Sequence, residues 1–245
     1  MWVSSAVFCS ALQRLIPSAF SFTKIGKSTT TMPRLALTEE EKHQRRQQLL
    51  CAAHQLFREQ QEIPTVAAIA ERAEVGKGTV YLSFRTKEQI FIALLSDSFL
   101  GFINELKPLF PAIDSPATFA SYYTKHVLAQ HDLLQLAAMA NTILETNLPQ
   151  ETLLAFKQQL AQAVGACAAL LAPVIQVPLP ACQLLLTRTW SLTVGLYQSS
   201  SQSWQLQHVL PPEIYQQLFP DYATELEQSV RQLWLGFLAE QRPNQ

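Results

Sequence analysis

Glycine is scarce in this chain, 7 of 245 residues or about 3%, so few tight turns are supplied. With Leu, Ala and Gln dominant, all strong helix formers or neutral in helices, the composition reads as all-α. Charge is also sparse, 15% against 48% hydrophobic residues. That balance supports a sizeable core and excludes a disordered chain. The four cysteines, Cys9, Cys51, Cys167 and Cys182, form no CxxC pair. Cys51 and His54 lie one helical turn apart, but no second pair completes a zinc set, and the thiols read as idle in a reducing cytoplasm. No run reaches the roughly 20 apolar residues that a bilayer requires. The best, Ala163–Ile175, spans 13 and is followed by Pro178 and Pro180, so it is expected as a buried helix. Ile25-Gly26-Lys27-Ser28-Thr29 imitates the end of a phosphate-binding loop, but Ser21 stands where the first glycine belongs. Gly-x-Ser-x-Gly is absent, and His131-Asp132 has no third partner, so no enzyme, cofactor or metal is implied.

What remains is a partition hidden by the net charge of −1. Residues 1–33 carry Arg14, Lys24 and Lys27 and no acid. Residues 34–91 carry nine basic and eight acidic side chains, and residues 92–245 carry six and eleven. A short, charge-dense segment thus precedes a longer apolar one, as expected of two domains with different tasks. The division expected is 34–95 and 96–245. Residues 1–33 read either as a disordered extension or as sequence upstream of a start at Met32.

Within the charge-dense segment, Thr38-Glu39-Glu40-Glu41 is a capping box opening a helix to about Gln60, with Leu49, Leu50, Ala53, Leu56 and Phe57 on one face. Thr65 is the expected N-cap of a short helix carrying Val66, Ile69, Ala70 and Ala73, stopped at Glu74-Val75-Gly76. The stretch 77–84 forms a second short helix, and Thr86-Lys87-Glu88-Gln89 caps a longer one. Helix, short helix, tight turn, short helix and long helix within about 60 residues is the layout of a helix-turn-helix DNA-binding domain. Val80 and Phe84, four apart, mark the inward face. Lys77, Gly78, Thr79, Tyr81 and Ser83 are left to face a groove, where hydroxyls, a cation and an aromatic edge can meet phosphates and bases.

The run from Thr65 to Phe84, with Lys-Gly-Thr-Val-Tyr at 77–81, Phe84 and then Lys87-Glu88, resembles the N-terminal domain of the tetracycline-repressor (TetR/AcrR-type) family of bacterial transcription regulators. The resemblance covers about residues 44–95. It implies Lys77–Phe84 as a recognition helix, with Thr79 and Tyr81 as main groove contacts and Lys77, Gly78 and Ser83 beside them. Lys87 and Thr65 would anchor phosphates at the starts of their helices, and Arg46 near the start of the first helix completes the candidate DNA-binding set. Glu74 departs from the family's usual glycine, and Gly76 is expected to take up the turn geometry.

Beyond Phe91, helices are expected to about Leu106, from Ser115-Pro116 past Val127, and over 132–146, 149–171, 181–200 and 221–241. In the resembled family such a domain binds a small effector and dimerises. The dimerisation candidates are Leu184, Leu185, Thr187, Arg188, Ser191, Leu192, Gly195 and Leu196 on one helix. On the last helix they are Leu226, Val230, Leu233, Trp234, Phe237 and Leu238. Effector-binding candidates are Phe102, Tyr122, Tyr123, His126, Asn141, Trp190 and Tyr197, with Phe119 and Met139 nearby, a mix suited to a lipophilic pocket. The resulting expectation is a cytoplasmic homodimeric repressor that leaves a palindromic operator on binding a small apolar effector, with no membrane partner. A helical adaptor that binds protein and not DNA is the alternative.

Overall fold

The structure, a computed structural model, describes residues 38–201 and 205–241, with only the backbone of Asn141. The expectations for residues 1–33 lie outside the described residues. The chain divides into two compact units, Met1–Ile90 and Phe91–Gln245. The boundary falls one turn into a continuous helix, five residues before the expected division.

In the first unit, α1 (Glu39–Gln60) opens on the expected capping box: the Thr38 N–H donates to Glu41 Oε2 at 2.8 Å, and the Glu41 N–H donates to Thr38 Oγ1 at 3.2 Å. Those bonds hold the Glu41 carboxyl below the usual range. The helix α2 (Val66–Arg72) is capped by Thr65, whose Oγ1 accepts from the Ala68 N–H at 3.2 Å. A bidentate pair, Arg72 to Glu59 at 2.7 and 2.8 Å, ties α2 to the end of α1. The helix α3 (Lys77–Ser83) follows, and α1, α2 and α3 pack on one another around Leu49, Phe57, Ile69, Val80 and Phe84.

The turn between α2 and α3 corrects one expectation. Glu74, not Gly76, takes the left-handed conformation, at φ 54°, while Gly76 sits at φ −71° as the N-cap of α3. The Val75 N–H reaches back to the Ala70 carbonyl at 2.9 Å, closing the helix end in a way that requires the residue before it to turn left-handed. A non-glycine residue there costs free energy that glycine avoids, partly offset by glycine's larger unfolded-state entropy. Glu74→Gly is expected to raise stability by about 1 kcal/mol in urea unfolding. Gly76→Ala, where an added Cβ meets nothing within 4 Å, should change it by less than about 0.5 kcal/mol. The reverse ranking would contradict this turn.

The second unit begins within α4 (Lys87–Leu106). Thr86 Oγ1 accepts from the Gln89 N–H at 3.3 Å, and Gln89 Oε1 accepts from the Arg85 N–H at 2.6 Å, so the return bond of this cap goes one residue upstream of the expected one. A 3₁₀ helix (Lys107–Ala112) carries Pro108 and Pro111 where an α-helix would fail. The helix α5 (Pro116–Leu128) starts at the expected Ser115 cap. The helix expected over 132–146 is three pieces: α6 (His131–Met139), a π-helical turn (Ala140–Leu144) and a 3₁₀ turn (Glu145–Asn147). The Glu145 N–H donates to the Ala140 carbonyl five residues back, which keeps Leu144 buried while Ile143 faces out.

Next, α7 (Gln150–Ile175) runs four residues past its expected end. Pro173 falls in its last turn, so the missing N–H interrupts the helix only near its end, and Gln176 closes it at φ 58°. By length and composition alone, α7 and the segment Lys87–Ala112 each contain a stretch apolar enough to cross a bilayer, although neither holds an unbroken apolar run of that length. The expected buried helix is buried on one face only, through Phe156, Ala163, Cys167, Ala168, Leu171 and Ala172. The helices α8 (Leu179–Ser201) and α10 (Tyr222–Gln241) complete the bundle, with a short α9 (Pro212–Leu218) that the sequence reading did not anticipate. α10 packs on α5 and α8, and α8 also packs on α6 and α7.

Candidate nucleic-acid interface and effector cavity

In the first unit, α3 turns Val80 and Phe84 into the core and leaves Lys77, Gly78 and Tyr81 exposed, with Thr79 and Ser83 half-buried. Tyr81 is 54% exposed. No neighbour explains Gly78: a Cβ added there meets nothing within 4 Å. Thr65 is exposed at the start of α2, and Lys87 is half-buried at the start of α4, where backbone N–H groups point outward. Arg46 stands apart among the candidates. Its guanidinium lies 4.1 Å from the centroid of the Phe84 ring and reaches the Ser83 carbonyl at 3.5 Å, so it braces the C-terminal end of α3. Sequence reasoning passed over Leu82, which is 85% exposed. The signal was available, since position 82 lies opposite the inward pair 80 and 84 on a helix.

The second unit contains a cavity of about 430 Å³, within the range of small-molecule sites. Six aromatic residues line it: Phe99, Phe102, Phe110, Phe119, Tyr123 and Trp190. Phe99 and Trp190 meet edge to face at 5.1 Å between centroids, and Phe119 stacks on Tyr123 at 5.4 Å. Leu160, Val164 and Cys167 of α7 and Gln183, Leu186, Thr187 and Thr189 of α8 close the wall. No Asp, Glu, Lys, Arg or His lines it.

The polar atoms of this wall are largely committed to the protein. The Tyr123 hydroxyl bonds Thr193 Oγ1 at 2.8 Å, and burial pushes its phenol well above the ordinary range. Thr189 Oγ1 accepts from Trp234 Nε1 at 2.9 Å and donates to the Leu185 carbonyl at 2.8 Å. Thr187 donates to the Gln183 carbonyl. Burial raises the Cys167 thiol to about 12, which leaves it protonated and a poor nucleophile at neutral pH.

Phe102, Tyr123 and Trp190 are thus brought together in one wall, with Phe119. Tyr122 and His126 are not. They share the outer face of α5, one turn apart, with His126 Nδ1 at 2.8 Å from the Tyr122 carbonyl and Tyr122 38% exposed. Residues 119, 123 and 127 occupy the inner face instead. Tyr197 is also outside the cavity, packed edge-on against Tyr222 and His131. The side chain of Asn141 lies outside the described residues. Leu160, Gln183 and Leu186 were not anticipated, because aliphatic and amide residues on an apolar helix carry no distinguishing pattern.

Each dimerisation stripe, about half of which is expected to serve as core within the chain, divides between buried and exposed positions. Leu226, Val230, Trp234 and Phe237 are buried within the chain, and α10 presents Arg231, Gln232, Leu235 and Gly236 outward. On α8, Leu185 is buried and Thr187 lines the cavity, while Leu184 and Arg188 are exposed.

A family model described as "Bacterial regulatory proteins, tetR family" matches residues 49–94, and one described as "Tetracyclin repressor-like, C-terminal domain" matches residues 96–241. No curated protein matches the chain. Among solved structures, a tetR-family transcriptional regulator from Streptomyces coelicolor is similar at 18% identity and a TM-score of 0.42, over 82% of this chain and 90% of that one.

Proposed function

The chain belongs to the tetR family of bacterial regulatory proteins and is a DNA-binding regulator of transcription, not an enzyme; from that premise we propose that it is a homodimeric repressor released from its operator by a small apolar effector. The observation that carries the DNA-binding reading is the outward face of α3, where Lys77, Gly78 and Tyr81 stand exposed over an inward pair of Val80 and Phe84. Thr79 and Ser83 flank that face, and Lys87 and Thr65 supply phosphate contacts at helix starts. Arg46 acts by holding α3 in place.

A dimer built through the outward faces of α8 and α10, at Leu184, Arg188, Leu235 and Gly236, carries two copies of α3, and half-sites one turn apart require recognition helices about 34–36 Å apart. α4 carries Lys87 at its start and Phe99, Phe102, Ile103 and Leu106 in the cavity wall, so a ligand in the cavity touches the same helix that bears a candidate phosphate contact. The effector can release the operator only by its differential affinity for the DNA-bound and released geometries. The site of action is the cytoplasm, where the operator is.

The test is a footprint on DNA around the protein's own gene, followed by binding at a series of salt concentrations. Affinity should fall linearly in a log–log plot, and Lys87→Gln should reduce the slope by about 1. Affinity independent of salt would favour a protein-binding adaptor. Sedimentation equilibrium at micromolar concentration should return a dimer.

A further inference from the structure

A second cavity of about 330 Å³ adjoins the aromatic one and shares Phe99, Leu160 and Trp190 with it as a common wall. Its character differs. Glu145 and Lys157 line it, paired at 2.7 Å from Nζ to Oε1, with the Glu145 side chain only 14% exposed and that of Lys157 48% exposed. Ser191 and Gln198 add a hydroxyl and an amide. Gln198 donates to the Ala138 carbonyl at 2.7 Å through Nε2, and its Oε1 is the acceptor end. The π-helical turn described above brings Ala140 to this wall, a local geometry frequent at functional sites.

From these two compartments we infer that the effector is a neutral amphiphile, with an apolar body in the aromatic cavity and an uncharged hydrogen-bonding head against Glu145 and Lys157. This rests on the reading of the aromatic cavity as the effector site. The charge of the head follows from the pairing. The aromatic wall holds no ionisable group that could compensate an ion, apart from phenol and thiol groups held neutral by burial. In the second cavity the two charges already satisfy each other. A ligand carboxylate would compete with Glu145 for Lys157, and a ligand ammonium would compete with Lys157 for Glu145. Either breaks the pair, leaving without its partner the Glu145 carboxylate, whose side chain is only 14% exposed, or the half-exposed Lys157 ammonium. A hydroxyl or carboxamide avoids that conflict. It can accept from a second Lys157 N–H and donate to the other Glu145 oxygen while the ion pair stays intact.

The experiment uses the full chain and the neutral fluorophore N-phenyl-1-naphthylamine as the probe. Its displacement is measured with 1-octanol, octanoate and octylammonium, which share a body and differ in head charge. Octanol should displace the probe at about tenfold lower concentration than either ion, measured against each ion's own partition into apolar solvent. Glu145→Gln frees Lys157 and should shift the ranking toward octanoate by about tenfold, whereas Lys157→Gln should shift it toward octylammonium by about the same factor. Because ligands are compared within one variant, a partly unfolded preparation lowers all three signals and leaves their ratio intact. Probe binding with a ranking that the two variants leave unchanged would overturn the assignment of the head while sparing the aromatic cavity. A probe that does not bind the wild-type chain overturns both.

Discussion

Trp234→Ala is expected to lower the unfolding free energy of the second unit by about 3–5 kcal/mol, seen as a fall in the urea midpoint followed by circular dichroism. Trp234 is 0% exposed and its ring stacks on Phe119 with centroids 3.5 Å apart. Its Nε1–H donates to Thr189 Oγ1, so truncation removes a large buried surface and a hydrogen bond together. The lost volume lies between α5, α8 and α10, three helices that pack through this point. Trp234→Phe, which keeps most of the ring contact and loses the hydrogen bond, should cost less, about 1–2 kcal/mol. Leu235→Ala, one residue on and exposed within the protomer, should cost under about 0.5 kcal/mol when measured at protein concentrations too low for dimer formation. Equal losses at 234 and 235 would mean that α10 is not packed as described. Since Phe119 and Thr189 also line the aromatic cavity, Trp234→Ala should weaken probe binding as well.

The second large effect falls on DNA. Tyr81→Ala should weaken binding to the specific operator by about 1–3 kcal/mol, roughly 5- to 150-fold, and leave binding to unrelated DNA little changed. The distinction follows from exposure: Tyr81 projects from α3 and is not part of the core formed by Val80 and Phe84. The thermal midpoint should therefore hold while operator affinity falls. Val80→Ala, at a buried position, should do the opposite first, losing stability and only then binding. Unchanged operator affinity in Tyr81→Ala would remove it from the groove.

Much of this architecture was legible because it is local. The capping box at Thr38, the Thr65 cap and the Ser115-Pro116 start each depend on residues within one turn, and all three open helices where the sequence places them. The two faces of α3 follow from the four-residue spacing of Val80 and Phe84. Glycine scarcity, by contrast, was legible as a helical bias but misleading about turns. Among the described residues the left-handed positions belong to Gln61, Glu74 and Gln176, and no glycine has positive φ. Helix-end hydrogen bonds impose that conformation on whichever residue stands there.

What the sequence by itself determined is most of the helix starts, the family and the outward chemistry of α3, because these reside in short-range patterns. The tertiary structure decided which apolar faces meet. Periodicity says that Leu226, Val230, Trp234 and Phe237 share a stripe, and cannot say whether the same chain or a second copy covers it; α5 and α8 cover it here. The cavity walls were only partly legible: Phe102, Phe119, Tyr123 and Trp190 stood out as aromatics on apolar helices, but residues from 99 to 190 become neighbours only when α4, α5, α7 and α8 pack. Sorting Tyr123 inward and Tyr122 outward, one residue apart, required knowing which side of α5 the rest of the bundle occupies.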